Sequence, residues 1–188
     1  MKKFIVFAII SLALANCGPQ ASKKPQTTKD TPQDIPDASQ QRLEQMKSLE
    51  PLSADKVKAM FPDELEGMKL SDYRSINGEG YETGEGSYKS DDGKELLVTV
   101  FDCVGEAGVG KYNLMYLGNL NVESKDDNSY KKTIQFNNDK AIESYEKDQD
   151  KYSLLFTAAN RLLVSVEGTR TGPDIAKDAA KGLNLQSH

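Results

Sequence analysis

The sequence predicts an α+β domain: a single antiparallel β-sheet of about six strands with helices packed on one face. Three observations carry this. Short segments of alternating or continuous apolar residues occur between residues 81–103 and 130–167. The connections between successive segments in the second group are only a few residues long, which makes neighbours antiparallel. Segments with helical spacing stand before, between and after the two strand groups, and that order suits one sheet with helices laid on it.

The elements follow in order from Pro51. Ser53 is placed to cap a short helix over 54–60, with Val57, Met60 and Phe61 on its inner side. Pro62-Asp63-Glu64-Leu65 begins a further turn that Gly67 stops. Residues 81–89 read as a Gly-rich polar strand, and Asp91-Asp92-Gly93 as the hairpin turn into a strand over 94–103. Leu96, Val98 and Val100 alternate there with Leu97, Thr99 and Phe101, so both faces of that strand are expected to be buried. A helix is expected over 110–120, with Tyr112, Met115, Tyr116 and Leu120 on one side. A meander follows over 130–136, 141–146, 151–158 and 161–167. Pro173, well suited to a first helical position, opens a closing helix that ends near Gly182.

Ahead of the domain, residues 18–50 contain no aromatic residue and hold Pro19, Pro25, Pro32 and Pro36 among many polar residues. Such a stretch buries too little apolar surface to offset its ordering entropy, so residues 17–50 are expected to act largely as a disordered tether. As a flexible coil it reaches on the order of 30 Å. Residues 40–50 lack Pro and Gly and are compatible with a short helix.

The first residues point to a destination. Lys2 and Lys3 precede an almost unbroken apolar run from Phe4 to Ala13, which suits a signal peptide and falls short of the ~20 residues of a membrane span. It ends in Leu14-Ala15-Asn16-Cys17-Gly18. That segment resembles the lipobox of bacterial lipoproteins, with Asn16 where Gly, Ala or Ser is commoner. The resemblance implies removal of residues 1–16 and attachment of diacylglycerol to the Cys17 thiol, often with acylation of the new amine. An ordinary secretory signal would leave the placement of Cys17 to chance. Two or three acyl chains make detachment from a membrane negligible, so the lipid would supply the membrane contact. Gly18 and its neighbours carry no acidic retention signal of the kind seen in related lipoproteins. The expected location is therefore an outer membrane, facing the periplasm; the alternative is the outer face of the cytoplasmic membrane in a cell with one bilayer.

Composition excludes several functions. The net charge is −5, and loss of the signal peptide with Lys2 and Lys3 makes the chain more acidic, which disfavours nucleic acid as a partner. The one histidine, His188, is the last residue, so the commonest general base and transition-metal ligand is missing from the body. With Cys17 lipidated, Cys103 has no partner and reads as a buried thiol. The acidic turns Asp91-Asp92, Asp126-Asp127 and Asp148/Asp150 lack EF-hand spacing. Gly105 to Lys111 matches the G-x-x-x-x-G-K core of a phosphate-binding loop. Tyr112 stands where that motif needs Ser or Thr for Mg²⁺, and no later strand ends in a metal-binding Asp. No cofactor, metal or nucleotide is expected, and no catalytic constellation is visible.

The remaining readings concern binding. The main expectation is a non-enzymatic envelope module that binds a protein partner through a flexible edge strand at Gly80, Tyr81, Thr83, Gly84, Gly86 and Tyr88, together with a helix-free sheet face. The alternative is a small-molecule or lipid carrier, its pocket between sheet and helix lined by Tyr112, Tyr116, Tyr130 and Phe156. The C-terminal pattern, with Ser129-Tyr130-Lys131-Lys132-Thr133, Ala141-Ile142-Glu143 and 161–168, looks like that of uncharacterised bacterial envelope proteins and implies no activity.

Overall fold

A computed structural model describes residues 37–77 and 81–186. The chain runs α1 (Asp37–Ser48), α2 (Ala54–Lys58), β1 (Glu64–Leu65), β2 (Met68–Asn77), β3 (Glu82–Lys89) and β4 (Glu95–Asp102), then α3 (Gly105–Met115). It continues through β5 (Ser124–Lys125), β6 (Ser129–Phe136), β7 (Asp139–Glu146), β8 (Lys151–Ala158), β9 (Leu162–Thr169) and α4 (Gly172–Gly182). All the strands form one antiparallel sheet in the order β1-β2-β3-β4-β9-β8-β7-β6-β5. The first half of the chain builds from one edge to the centre. α3 then carries the chain across, and the second half builds inward from the opposite edge until β9 pairs with β4.

Among the described residues nine strands, not six, make the sheet. The three that the periodicity did not predict are β1, β2 and β5. β1 and β5 are two residues each, too short to show a period. β2 is ten residues long but mostly exposed, and its register shifts between Leu70 and Asp72. With one extra residue there, the side chains change face midway and the alternation is lost.

Helices lie on both faces, not one. Leu96, Val98, Val100, Leu154, Phe156, Val164 and Val166 pack in one cluster with Val57 and Phe61 of the α2 region and with Ala176, Ala179 and Ala180 of α4. Three alanines let α4 lie close to the sheet. On the opposite face Cys103, Ile142 and Leu163 pack with Leu43 and Met46 of α1 and with Val109 and Tyr112 of α3. The central strands are thus covered twice along part of their length, which is why their sequences read as nearly continuous apolar runs.

Two boundaries also move. α1 is fixed to the body by buried Leu43 and Met46 and by an ion pair from Arg42 to Asp139 at 3.2 Å, so the body includes residues 37–50 that composition assigns to the tether. Two apolar anchors leave little signal in an otherwise polar helix. α3 begins at Gly105, five residues before its expected start, and a 3₁₀ turn at Leu117–Asn119 follows it. Gly108 allows this: a Cβ there would stand 2.6 Å from the carbonyl carbon of Cys103. Among the described residues no helix is long and apolar enough to cross a membrane.

Candidate functional site

The expected edge strand is an interior strand. β3 pairs along its length with β2 on one side and β4 on the other, so its backbone has no free edge to offer. Thr83, Gly84, Gly86 and Tyr88 lie in it and are buried, Tyr81 precedes it half-buried, and Gly80 lies outside the described residues, as does Cys17. The glycines serve packing. A Cβ at Gly84 would meet Phe61 and Val57 at 2.7 Å, and one at Gly86 would meet Phe61 at 2.7 Å. Their absence of side chain is what lets α2 and Phe61 settle on the sheet. Tyr88 donates its hydroxyl hydrogen to the carbonyl of Pro62 at 3.0 Å, tying the same segment down.

Among the described residues the longer open edge belongs to β2, β6 being left open only from Lys132 to Phe136. β1 covers only Met68 and Lys69, and the Leu70 amide donates to the Asp63 carbonyl at 2.8 Å. From Ser71 to Asn77 the outer side of β2 has no strand partner among the described residues. Asp72, Arg74 and Ile76 stand on one face of this edge, and Tyr73 and Ser75 on the other, where Tyr73 packs edge-on against Phe61 at 5.1 Å. Arg74 pairs across the strands with Glu85 yet keeps 63% of its side chain exposed. Ile76 is 45% exposed. A bulge and two opposite charges are the features with which natural edges limit indiscriminate pairing. The signal in the sequence was present but inverted: Gly-rich β3 looked loose because its glycines leave room for a helix, while exposed β2 carried ordinary side chains.

The strongest electrostatic feature lies at the other end of the sheet. Glu143 of β7 is almost fully buried and accepts hydrogen bonds from Tyr152 at 2.7 Å and Tyr130 at 3.1 Å. Lys177 of α4 and Lys132 of β6 reach it at 2.6 Å and 2.9 Å. Burial alone would raise this carboxyl, but the hydrogen bonds from Lys177, Lys132 and Tyr152 outweigh it and hold the group at about 2. Burial and then the Glu143 charge push the Tyr130 hydroxyl up to about 12, and burial with the hydrogen bond to Glu143 raises Tyr152 further. Every acceptor position of the carboxylate is engaged, so the cluster is a fixed anchor for α4 and not an acid or base awaiting a substrate.

A second buried carboxylate is equally occupied. Asp102 accepts from Arg161 Nε and Nη2, each at 2.7 Å, and from the Leu52 amide at 2.7 Å. Arg161 also donates to the Glu50 carbonyl at 2.7 Å. The fork geometry clamps the α1–α2 connection to the end of the sheet. Beside it, burial, aided by the Asp102 charge, pushes the Cys103 thiol up to about 12, and the sulfur lies 3.8 Å from the Phe101 carbonyl oxygen that it faces. That thiol is poorly suited to nucleophilic chemistry.

Gly105 to Lys111 is helical throughout, so no loop exists there to cradle a phosphate, and Lys111 lies over the Phe101 ring at 4.4 Å and toward Tyr81 at 5.5 Å. The four aromatics assigned to a carrier pocket are divided by the sheet: Tyr112 and Tyr116 pack on the α3 face, Phe156 on the α4 face, and Tyr130 reaches Glu143, the anchor of α4. Phe156 meets Phe136 edge-on at 5.0 Å and also lines a surface groove. An open surface groove of about 440 Å³ is lined by Asn137, Asp139, Thr157, Lys181, Leu183 and Leu185. Among the described residues both sheet faces carry helices, although Leu97, Ser153, Ser165 and Glu167 remain half-exposed outside the α1–α3 cluster. No group of three or more His, Cys, Asp or Glu side chains suited to a metal occurs among the described residues.

Neither a protein-family model nor a curated protein matches this chain. Among solved structures, a GTP binding regulator from Thermotoga maritima is similar at 15% identity and a TM-score of 0.36, over 73% of this chain and 91% of that one. Likeness at that level transfers neither fold nor function.

Proposed function

We propose that this chain is a membrane-tethered, extracytoplasmic lipoprotein whose body is a non-enzymatic binding module of the cell envelope, docking a protein partner along the outer edge of β2. The observation that carries the reading is the unpaired stretch from Ser71 to Asn77, longer than the stretch from Lys132 to Phe136 that β5 leaves open on the opposite edge. An extended segment added there gains a ladder of backbone hydrogen bonds, and the alternating side chains supply selectivity. The lipobox at Cys17 supports attachment to a membrane, with an outer membrane facing the periplasm as the location and the outer face of a single bilayer as the alternative. The carrier reading lacks support, since its aromatic residues fall on opposite faces of the sheet.

The test joins both halves of the proposal. Cys17→Ser should move the protein from the membrane fraction to the soluble fraction. A photo-cross-linking residue at Ser75 should capture a protein in intact cells, while the same probe at exposed Leu114 on α3 should not. Membrane retention of the serine variant would refute the anchor. Equal capture at both positions, or none, would refute the edge.

A further inference from the structure

We infer that the strand received by β2 is the β2 strand of a second copy of this chain, with the two sheets joined edge to edge about a two-fold axis through Tyr73. The inference rests on reading the β2 edge as the binding edge, and the residues on that edge select the occupant. In an antiparallel ladder, residues directly opposite each other share a face and interact most strongly. In a two-fold pairing each position meets its mirror image about the axis. With the axis at Tyr73, Asp72 of each copy faces Arg74 of the other, Ser71 faces Ser75, and Tyr73 faces Tyr73. Asp72 and Arg74 stand on the same face, opposite Ser87 and Glu85 of β3, and both are exposed.

The neighbouring registers are worse in an identifiable way. An axis at Asp72 sets two carboxylates opposite each other, and one at Arg74 sets two guanidinium groups together. An axis at Ser75 spends both arginines against Ile76. Axes between residues would oppose outward-pointing backbone groups with inward-pointing ones, which cannot form a regular ladder. One register therefore combines backbone pairing with two opposite-charge contacts.

The space available agrees with that register. The run from Ser71 to Ser75 lies clear of Met68 and Lys69, which pair with β1, and of the Leu70 amide, which Asp63 already accepts. Pairing thus displaces nothing. The register shift between Leu70 and Asp72 bends the strand where the ladder must end. Two copies tethered to one membrane would meet at a raised effective concentration, which favours a ladder too short to be strong in dilute solution.

The register can be read by disulfide trapping at exposed positions outside the core. Opposed residues in a ladder have Cα atoms about 4.5–5.5 Å apart, within disulfide reach. Two copies of position 72 would lie about 8 Å apart in this register, beyond that reach. Full-length chains carrying Asp72→Cys and Arg74→Cys, differently tagged and co-expressed, should form a mixed dimer on mild oxidation. Neither variant alone should cross-link to itself, and the natural chain, with Cys17 and buried Cys103, provides the blank. Self-cross-linking of either single variant to a level equal to the mixture would overturn the register. Cross-linking to a different protein would overturn the second copy while leaving β2 as a binding edge. Absence of any cross-link at both positions would overturn the inference and the edge reading together.

Discussion

Replacing Glu143 by Gln should destabilise the domain by about 2 kcal/mol at neutral pH, and the loss should fade in acid. Removing one partner of a buried ion pair typically costs about 3–5 kcal/mol, because the other charge is left desolvated. Here the lysines soften the loss: their side chains are 49% exposed at Lys132 and 29% at Lys177, so each ammonium can regain water. Glutamine also retains an oxygen that can accept from Tyr152. Those two considerations bring the figure down to about 2 kcal/mol. The pH dependence follows from the carboxyl being held at about 2 in the folded protein, below its ordinary 4.5. A depressed carboxyl stabilises the fold fully above its unfolded value and loses that contribution as pH falls through the folded value. Urea unfolding of the natural and Glu143→Gln proteins should therefore show the widest gap at pH 7 and a gap that narrows between pH 4.5 and 2. A gap that is the same at pH 7 and pH 2.5 would refute the electrostatic account and leave only a packing defect. No gap at pH 7 would mean that the lysines do not depend on Glu143 at all.

Two further predictions concern the packing beneath β2 and the buried thiol. Gly86→Ala places a methyl group 2.7 Å from the Phe61 ring and should cost about 1–3 kcal/mol, a loss that shrinks in a Phe61→Leu background; equal losses in both backgrounds in urea unfolding would show that the contact is not the cause. Cys103, with its thiol near 12 and no exposure, should react with a thiol reagent at pH 8 only as fast as the protein unfolds; rapid labelling in the absence of denaturant would contradict its placement.

The placement of strands and glycines shows how far sequence reading reaches. The meander over β6 to β9 and the closing helix α4 coincide with the alternation and with Pro173, because each of those strands buries one face against helices and keeps its register. β2 escaped because the period of two is written by burial, and an edge strand with a register shift has little burial to write it. Gly84 and Gly86 were legible as glycines but not as contacts: from sequence they look like flexibility, and only the position of Phe61 shows that they are clearance. The Glu143 cluster gathers residues 130, 132, 143, 152 and 177 from three strands and a helix, and no spacing within one element announces such a group.

Residue order alone thus determined the local patterns: a candidate acylation site at Cys17, a polar segment behind it, antiparallel hairpins where turns are short, and the lack of a histidine in the body. Tertiary structure alone decided which strand is an edge. That property depends on what lies beside a strand and not on what it contains. β4 and β9, sixty residues apart in the chain, close the centre of the sheet, and this pairing sends β3 inside and leaves β2 open. Backbone hydrogen bonding is indifferent to side-chain identity, so the free edge is set by topology, and topology is settled by the long-range burial of both faces of the central strands.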